Sequence, residues 1–166
     1  MEIKVKYPTP ENFKKFGTLI IPPFKNPPAT YSEIFNYYHD VADISSLGNE
    51  GCVGYLEIKR DFSREFILEK MERHKDTLEA FIPISGVGIF CLAPATPHRP
   101  FPDLDSIEAF WVDGAASFFL NEGVWHWLPF PITSDIRFIL LLKKPTVEKD
   151  IEIVDLTEKV KIVLVK

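Results

Sequence analysis

Short runs of β-branched and aromatic residues, each ended by a glycine or proline turn sequence, dominate this chain. Ser85-Gly86 and Asp113-Gly114 each lie between two such runs and predict tight antiparallel hairpins, since hairpin turns need residues that tolerate positive φ. Prolines at 22–28 and 94–102 exclude central strands from those loops. The pattern predicts an all-β fold, either a double-sheet jelly roll or a closed barrel, with room for a small ligand between the sheets. The predicted strands are 18–21, 53–60, 79–84, 87–92, 107–112, 116–120, 137–143 and 160–165.

The clearest helical signal lies at 9–17, where Thr9 can cap a helix, Pro10 suits its first position and Gly17 can end it. We expect a short N-terminal helix of about two turns there. Residues 63–71 fit either a helix or a strand, because their apolar spacing agrees with both. No repeat or linker divides the chain, so we expect one domain over residues 1–166.

Charge and composition argue against several classes of partner. The 166 residues include 19 Lys and Arg against 24 Asp and Glu, and the absence of a basic cluster argues against nucleic acid. The apolar run at 138–142 is too short to cross a membrane, and the N-terminus lacks the apolar stretch of an export signal. Cys52 and Cys91 lie among apolar residues and are predicted to be buried free thiols. We expect a cytoplasmic protein with a small-molecule partner and no nucleic-acid or membrane partner.

The densest group of chemically active side chains lies at 72–86. If Glu72 and His74 share a strand, alternation places both on one face, and the turn at 75–77 brings Glu79 back on the neighbouring strand. His126 joins them if its strand packs beside this pair. Two imidazoles and two carboxylates suit a divalent metal such as Ni, Mn, Fe or Zn. An exposed hairpin carries similar charged residues, so spacing alone also allows a purely structural interpretation.

This spacing resembles the two motifs of the cupin superfamily. The first motif runs His-x-His, three or four residues, Glu, six residues and Gly, and the second runs Pro-x-Gly, two residues and His. The matching residues here are Glu72, His74, Glu79 and Gly86 in the first motif, and Asn121, Gly123 and His126 in the second. Glu72 takes the place of a histidine and Asn121 that of the proline. The resemblance implies a cupin-like double-stranded β-helix, or jelly roll, with a short N-terminal helix.

Longer strings resemble the ureidoglycolate lyase family over about residues 5–143. They are Glu-Arg-His at 72–74, Ala-Phe-Ile-Pro at 80–83, Val-Trp-His at 124–126, Tyr-His-Asp-Val-Ala at 38–42, and the opening segment at 13–20. The resemblance implies a cytoplasmic, homodimeric enzyme of purine and allantoin nitrogen recovery. Its reaction splits ureidoglycolate into glyoxylate and urea.

That reaction needs a base for the substrate hydroxyl and an acid for the departing nitrogen, and the candidate catalytic residues are His74, Glu79 and His126. The same three residues and Glu72 are the candidate metal ligands, because a bound metal would stabilise the developing oxyanion. The candidate substrate-binding residues are Arg60, Arg73, His39, Asp40 and Asn121. Trp125 and Trp127 share the strand face opposite His126, and we expect them to pack against another layer or against a second subunit as part of a dimer surface.

The chain departs from the family pattern around the second motif. Asn121-Glu122 stands where the lyases carry a His-Arg pair, Trp127 replaces a second histidine, and Glu79 corresponds to a glutamine. Fewer basic groups and one extra carboxylate disfavour an anionic substrate. Two alternatives therefore stay open: a divergent cupin enzyme acting on another small hydroxy acid or sugar derivative, and a non-catalytic module that binds a small metabolite.

Overall fold

The structure, a computed structural model, describes residues 1–164 and is built almost entirely from β-strands. The strands are β1 (Glu2–Lys6), β2 (Gly17–Ile20), β3 (Thr30–Tyr31), β4 (Asn36–Tyr37), β5 (Gly51–Ile58), β6 (Ile67–Arg73), β7 (Glu79–Ser85), β8 (Gly88–Ala93), β9 (Glu108–Val112), β10 (Ser117–Leu120), β11 (Trp125–His126), β12 (Phe130–Pro131), β13 (Ile136–Lys143) and β14 (Glu152–Val163). The helices are α1 (Pro10–Phe13) and α2 (Thr146–Lys149), with 3₁₀ segments at Ser45–Glu50 and Leu104–Ser106. The predicted all-β, double-sheet fold with a short N-terminal helix is confirmed.

A seven-stranded sheet forms one side of the molecule in the order β11-β6-β14-β1-β9-β8-β12. Because β11 also pairs with β8, six of these strands close into a ring. Each strand of the ring contributes to one apolar cluster, through residues that include Val5, Leu68, Ile89, Ala109, Trp125 and Val160. The ring therefore has a core of its own, and Trp125 is fully buried in it.

A five-stranded sheet, β2-β10-β7-β13-β5, packs against the outside of this ring. The second apolar cluster lies between the two sheets and is rich in phenylalanine. Phe90 of the ring and Phe118 of the opposite sheet meet edge to face at 5.8 Å, and Phe81 and Phe90 lie 4.7 Å apart. These contacts fix the spacing of the sheets beside the end of β7 that carries Glu79.

The two predicted hairpins are wrong, although both turns form. Gly86 and Gly114 adopt positive φ values of 86° and 88°, as expected for tight turns. However, β7 pairs with β10 and β13, whereas β8 pairs with β9, so each turn carries the chain from one sheet to the other. The residues of a turn determine that the chain reverses there, but they do not determine which strand the following segment pairs with.

Other segments refine the expected elements. Thr9 caps α1 as predicted, but the helix has four residues instead of two turns. The ambiguous segment at 63–71 contributes to a strand, β6. The predicted strand at 160–165 begins earlier, as β14, and its last residue lies outside the described part of the chain. Within residues 1–164, none of the helices has the length and apolar character needed to cross a membrane.

Candidate metal and active site

Glu72 and His126 are brought together by strand pairing. They are opposed Cα partners in the short ladder between β6 and β11. Their neighbours Arg73 and Trp125 face the other side, where the guanidinium lies 4.3 Å from the indole ring centroid. Alternation along both strands therefore directs Glu72 and His126 towards the space between the sheets. The His126 ring accordingly lies 5.7 Å from the ring of Phe81.

His74 and Glu79 flank the turn that joins β6 to β7. His74 follows the last residue of β6, and Glu79 is the first residue of β7 in the opposite sheet. The Asp150 carboxylate holds this turn by accepting hydrogen bonds from the backbone amides of Lys75 and Asp76, at 2.7 and 2.8 Å. The amide of Gly123 donates to the His74 carbonyl at 2.6 Å. The turn between sheets thus brings the two side chains face to face.

The four side chains converge on one buried point. Glu79 Oε2 lies 3.0 Å from His126 Nε2 and 3.3 Å from His74 Nε2, and Glu72 Oε1 lies 3.7 Å from His126 Nε2. The exposed side-chain fractions of His74, Glu79 and His126 are 6, 7 and 3%. That of Glu72 is 15%, so the centre is most open at this residue.

Backbone carbonyls fix the orientation of both imidazoles. His74 Nδ1 lies 2.5 Å from the Asp150 carbonyl oxygen, and His126 Nδ1 lies 3.1 Å from the Val124 carbonyl oxygen. Since a carbonyl only accepts, each Nδ1 carries the proton and each Nε2 of a neutral ring presents its lone pair to the centre. This is the arrangement by which proteins orient histidines that bind metals.

The ionisable groups of the centre perturb one another strongly. Burial by itself would raise the pKa of Glu79, but the adjacent imidazoles of His126 and His74 outweigh it and lower the pKa from 4.5 to about 2. Burial would lower the pKa of His74, yet the Glu79 carboxylate, the Asp150 carbonyl and Glu72 together outweigh burial and the pKa is raised. Burial raises the pKa of Glu72, and the imidazoles only partly oppose this. Glu79 therefore stays ionised, whereas Glu72 takes up a proton more readily than an exposed glutamate.

The donor set fits a divalent metal. One ligand atom each from Glu72, His74 and His126 lies within 4.8 Å of the other two. Among the described residues, Glu79 Oε2 and His126 Nε2 have no aligned hydrogen-bond partner although both are buried. Two lone pairs facing each other at 3.0 Å repel, so the centre needs a positive charge, supplied either by protons on the imidazoles or by a metal ion. Imidazole and carboxylate ligands are typical of Ni, Mn, Fe and Zn sites.

Similarity to known proteins identifies the family of this chain. A family model described as ureidoglycolate lyase matches residues 1–163. The chain belongs to the ureidoglycolate lyase family. Ureidoglycolate lyase of Salmonella paratyphi B is 24% identical over 89 residues, which are 54% of each chain. Ureidoglycolate lyase of Escherichia coli is 25% identical over 126 residues, which are 76% of this chain and 78% of that one. This chain therefore spans about half the length of the Salmonella relatives that it matches.

Solved structures give weaker likenesses. The capsular polysaccharide assembling protein CapF of Staphylococcus aureus is 16% identical with a TM-score of 0.47, over 63% of this chain and 27% of that chain. RmlC of Streptococcus suis, solved with dTDP-D-xylose, is 9% identical with a TM-score of 0.44, over 61% of this chain and 47% of that chain.

The structure does not bring the predicted substrate-binding residues to the four-residue centre. Arg73 points into the ring, where it is 3% exposed and binds Glu152 at 2.5 Å and the Thr96 carbonyl at 3.0 Å. Arg60 donates to the Ile132 carbonyl at 2.8 Å. Because Ile132 lies beside the start of β8 while His126 lies opposite Leu92, Arg60 is at the far end of that strand.

The other predicted binding residues lie on the surface. His39 and Asp40 form a pair, with Nδ1 and Oδ2 2.6 Å apart, but their side chains are 57 and 90% exposed. Asn121 is exposed, and its backbone amide donates to the Phe16 carbonyl at 2.9 Å. Their roles in this ureidoglycolate lyase family member stay predictions.

Two further expectations concerned tryptophans and cysteines. Trp125 packs against another layer and not against a second subunit, because it is fully buried in the core of the ring and donates to the Thr96 hydroxyl at 2.8 Å. Cys91 is buried as predicted, and burial raises the pKa of its thiol. Cys52 is only half-buried.

Asp150 is the residue of the site that sequence reasoning missed. Its carboxylate holds the turn between His74 and Glu79, and its carbonyl orients the His74 ring. No motif surrounds Asp150, and it lies 76 positions from His74. Only the path of the chain through α2 to the start of β14 brings the two together.

Proposed function

We propose that this protein cleaves ureidoglycolate to glyoxylate and urea at the centre formed by Glu72, His74, Glu79 and His126. The observation that carries the proposal is the buried Glu79 carboxylate facing the Nε2 atoms of two histidines whose Nδ1 atoms are already engaged. Membership of the ureidoglycolate lyase family supports this choice of substrate.

The reacting carbon of ureidoglycolate carries a hydroxyl group and a urea nitrogen. Loss of the hydroxyl proton and protonation of that nitrogen break the carbon–nitrogen bond, so the carbon becomes the aldehyde of glyoxylate and urea departs. Because Glu79 Oε2 lies within 3.3 Å of both imidazoles, a proton taken from the hydroxyl can pass among these groups and return to the nitrogen. Positioned acid–base groups of this kind accelerate reactions by about 10² to 10⁴-fold.

Glu72, His74 and His126 are the residues that would hold a divalent metal, with Glu79 beside them. A bound metal would supply the positive charge that stabilises the oxygen developing at the substrate hydroxyl. In that case both Nε2 atoms would serve as ligands, and the Glu79 carboxylate would accept the proton of the substrate hydroxyl. The Nδ1 hydrogen bonds to Asp150 and Val124 keep the rings in place in either case.

The test is release of glyoxylate and urea from racemic ureidoglycolate by the purified protein, with Ni²⁺ or Mn²⁺ and again after chelation. We expect equal amounts of both products well above the spontaneous rate. His126→Ala and Glu79→Gln should lower kcat by at least about 100-fold. His98→Ala is the matched control, because His98 is an exposed histidine in a proline-rich loop. Equal rates for all variants would contradict the proposal.

A second candidate is favoured by Asn121 and Glu122, which replace the basic pair of the lyases. On this hypothesis the same centre acts on another small hydroxy acid or sugar derivative. A folded, metal-loaded protein that releases no glyoxylate but turns over another small hydroxy acid or a sugar derivative would favour it. Thermal stabilisation by such a compound without turnover would instead indicate the non-catalytic binding module.

We also propose that the protein works in the cytoplasm as a homodimer, as the family resemblance implies. Because Trp125 is buried within the chain, the proposed dimer surface does not include this residue. Sedimentation equilibrium gives the number of chains per particle directly, and a monomer at micromolar concentration would contradict this part of the proposal.

A further inference from the structure

We propose that the outer face of the five-stranded sheet is the dimer surface of this protein, an inference that rests on the homodimer proposed above. On this face two copies of the chain pack sheet against sheet about a two-fold axis. Because Trp125 is buried in the ring, the homodimer needs a surface elsewhere. The five-stranded sheet offers one whatever the substrate of the centre is.

Strand register places two apolar rows on the outer face of this sheet. Phe81 and Phe138 belong to the core between the sheets, so alternation turns the residues beside them outward. The outward residues are cross-strand partners in neighbouring ladders, in the rows Phe119–Ala80–Leu141–Val53 and Ile82–Ile139–Tyr55. A solvated face of an antiparallel sheet normally carries polar residues at such positions. These rows therefore indicate a face that another layer covers.

The apolar face is open to solvent along β5. Residues of β5 alternate between exposed and half-buried, and the outward Val53 and Tyr55 are 70 and 60% exposed. The outward residues of the inner strands are half-buried, apart from the small Ala80, which is buried. A hollow of about 490 Å³ beside Val53 and Leu141 extends the apolar surface to Ile44, which is 46% exposed. Exposed apolar surface of this extent is typical of a protein interface.

Charged residues border the apolar rows at both ends, and their charges are paired or hydrogen-bonded. At one end Glu57 binds Arg137 at 2.7 Å and Lys59 at 2.6 Å. At the other end the Lys143 ammonium donates to the Asp76 carbonyl at 2.6 Å. An apolar centre inside a polar rim is the usual composition of a protein interface. Because the rim pairs are internally neutralised, two identical faces can approach without strong repulsion.

A second copy of the chain is the partner that this face fits. A two-fold axis brings identical patches together, so the apolar rows of one copy meet those of the other. Antiparallel sheets commonly pack face to face in this way. The apolar rows and their rim offer on the order of 700 Å² per chain, close to the roughly 800 Å² that a stable interface buries on each partner.

The edge of the sheet gives a further reason for a stable partner. β5 is the edge strand of this sheet, with eight residues and no proline. A long apolar edge strand that stays uncovered promotes aggregation. Packing against a second copy removes Val53 and Tyr55 from solvent and so protects this edge.

The proposed dimer surface lies behind the strand that carries Glu79. Glu79 points to the buried centre, and the next residue of β7, Ala80, lies in one of the outward rows. Glu72, the most exposed member of the centre, belongs to β6 in the opposite sheet. The dimer therefore supports β7 from outside and leaves the side of the centre at Glu72 free.

Hydroxyl-radical footprinting of the wild-type protein tests this surface. Samples are oxidised over a range of protein concentrations whose dimer content is known from sedimentation equilibrium. Tyr7 is the matched control, because it is 66% exposed and follows β1 in the other sheet. The oxidation rate of Tyr55 should fall by at least about threefold as the dimer forms, because the centre of an interface excludes water, and that of Tyr7 should stay the same.

A pair of variants tests the energy of the interface. Tyr55→Glu places a charge within an apolar row and beside Glu57, so the dissociation constant of the dimer should rise by at least about 30-fold. Tyr7→Glu should change it by less than about threefold. Both tyrosines are exposed in the single chain, and circular dichroism shows whether each variant is folded.

The outcomes separate this surface from the homodimer itself and from the lyase reaction. A dimer in which Tyr55 stays reactive, or whose dissociation constant Tyr55→Glu leaves unchanged, overturns this surface while the homodimer stands. A wild-type protein that is monomeric at micromolar concentration overturns both, and protection of Tyr55 in that monomer would show that the chain covers the face itself. Glyoxylate release is measured separately, and its failure changes none of these results.

Discussion

Replacing Glu79 with glutamine removes the negative charge on which both imidazoles converge, and the loss should depend on pH. In the metal-free protein the folded pKa of Glu79 is about 2, against 4.5 in an unfolded chain. That difference corresponds to about 3 kcal/mol of folded-state stability. Because the pKa is lowered, this contribution is complete above pH 4.5 and disappears as the pH falls towards 2. His74 has a raised pKa, so its contribution to folded-state stability is complete below pH 6.5. That contribution is lost as the pH rises through the pKa of His74 in the folded protein.

Urea unfolding in the presence of a chelator measures the effect. Near pH 5.5, where both contributions are present, wild type should be about 3 kcal/mol more stable than Glu79→Gln, and near pH 3 the gap should be clearly smaller. Glu69→Gln is the control, since Glu69 is 51% exposed and an exposed pair contributes at most about 1 kcal/mol. A Glu79→Gln protein as stable as wild type at pH 5.5, or a gap that grows on acidification, would refute this reasoning.

Three further predictions test the packing and the metal site. Trp125→Ala should lower the free energy of unfolding by about 3–5 kcal/mol because Trp125 is fully buried in the ring, and the partly buried Trp127→Ala should cost less; urea unfolding compares them. Gly123→Ala should lower the Tm measured by calorimetry more than Gly114→Ala does. Both glycines have positive φ, but of the two only Gly123 has an atom close to the added Cβ, the Cβ of Ala95 at 3.3 Å. Titration calorimetry should show about one Ni²⁺ per chain in wild type and none in His126→Ala, whereas His98→Ala should bind as wild type does; unchanged binding in His126→Ala would remove this residue from the site.

Half of the strands of this fold could be predicted from the sequence, but their arrangement could not. Alternation and turn residues locate seven of the eight predicted strands to within two residues, because both signals are local. The short strands β3, β4, β11 and β12 and the N-terminal β1 were not predicted. The closure of the ring through β11 depends on ladders of one and two residue pairs, and a segment that short has no periodicity. The chain reversals at Gly86 and Gly114 were predicted, but the change of sheet was not, since it is decided by which face finds an apolar partner.

Some residues of the candidate site could be predicted from the sequence, and others could not. The convergence of His74 and Glu79 follows from their spacing around one turn, and His126 follows from its likeness to a second motif. Asp150 has no such signal, because it acts through a contact 76 positions away. Arg60 and Arg73 are candidates because of their charge and their likeness to the family, whereas their partners in the structure lie elsewhere.

The most direct measurement is the initial rate of glyoxylate release from ureidoglycolate by metal-loaded wild type, His126→Ala and His98→Ala, each first shown to be folded. Glyoxylate and urea should appear in equal amounts with wild type and His98→Ala, and at close to the spontaneous rate with His126→Ala. Release at the same rate by all three proteins, or no release by any of them, would contradict the assignment of this chemistry to the buried centre.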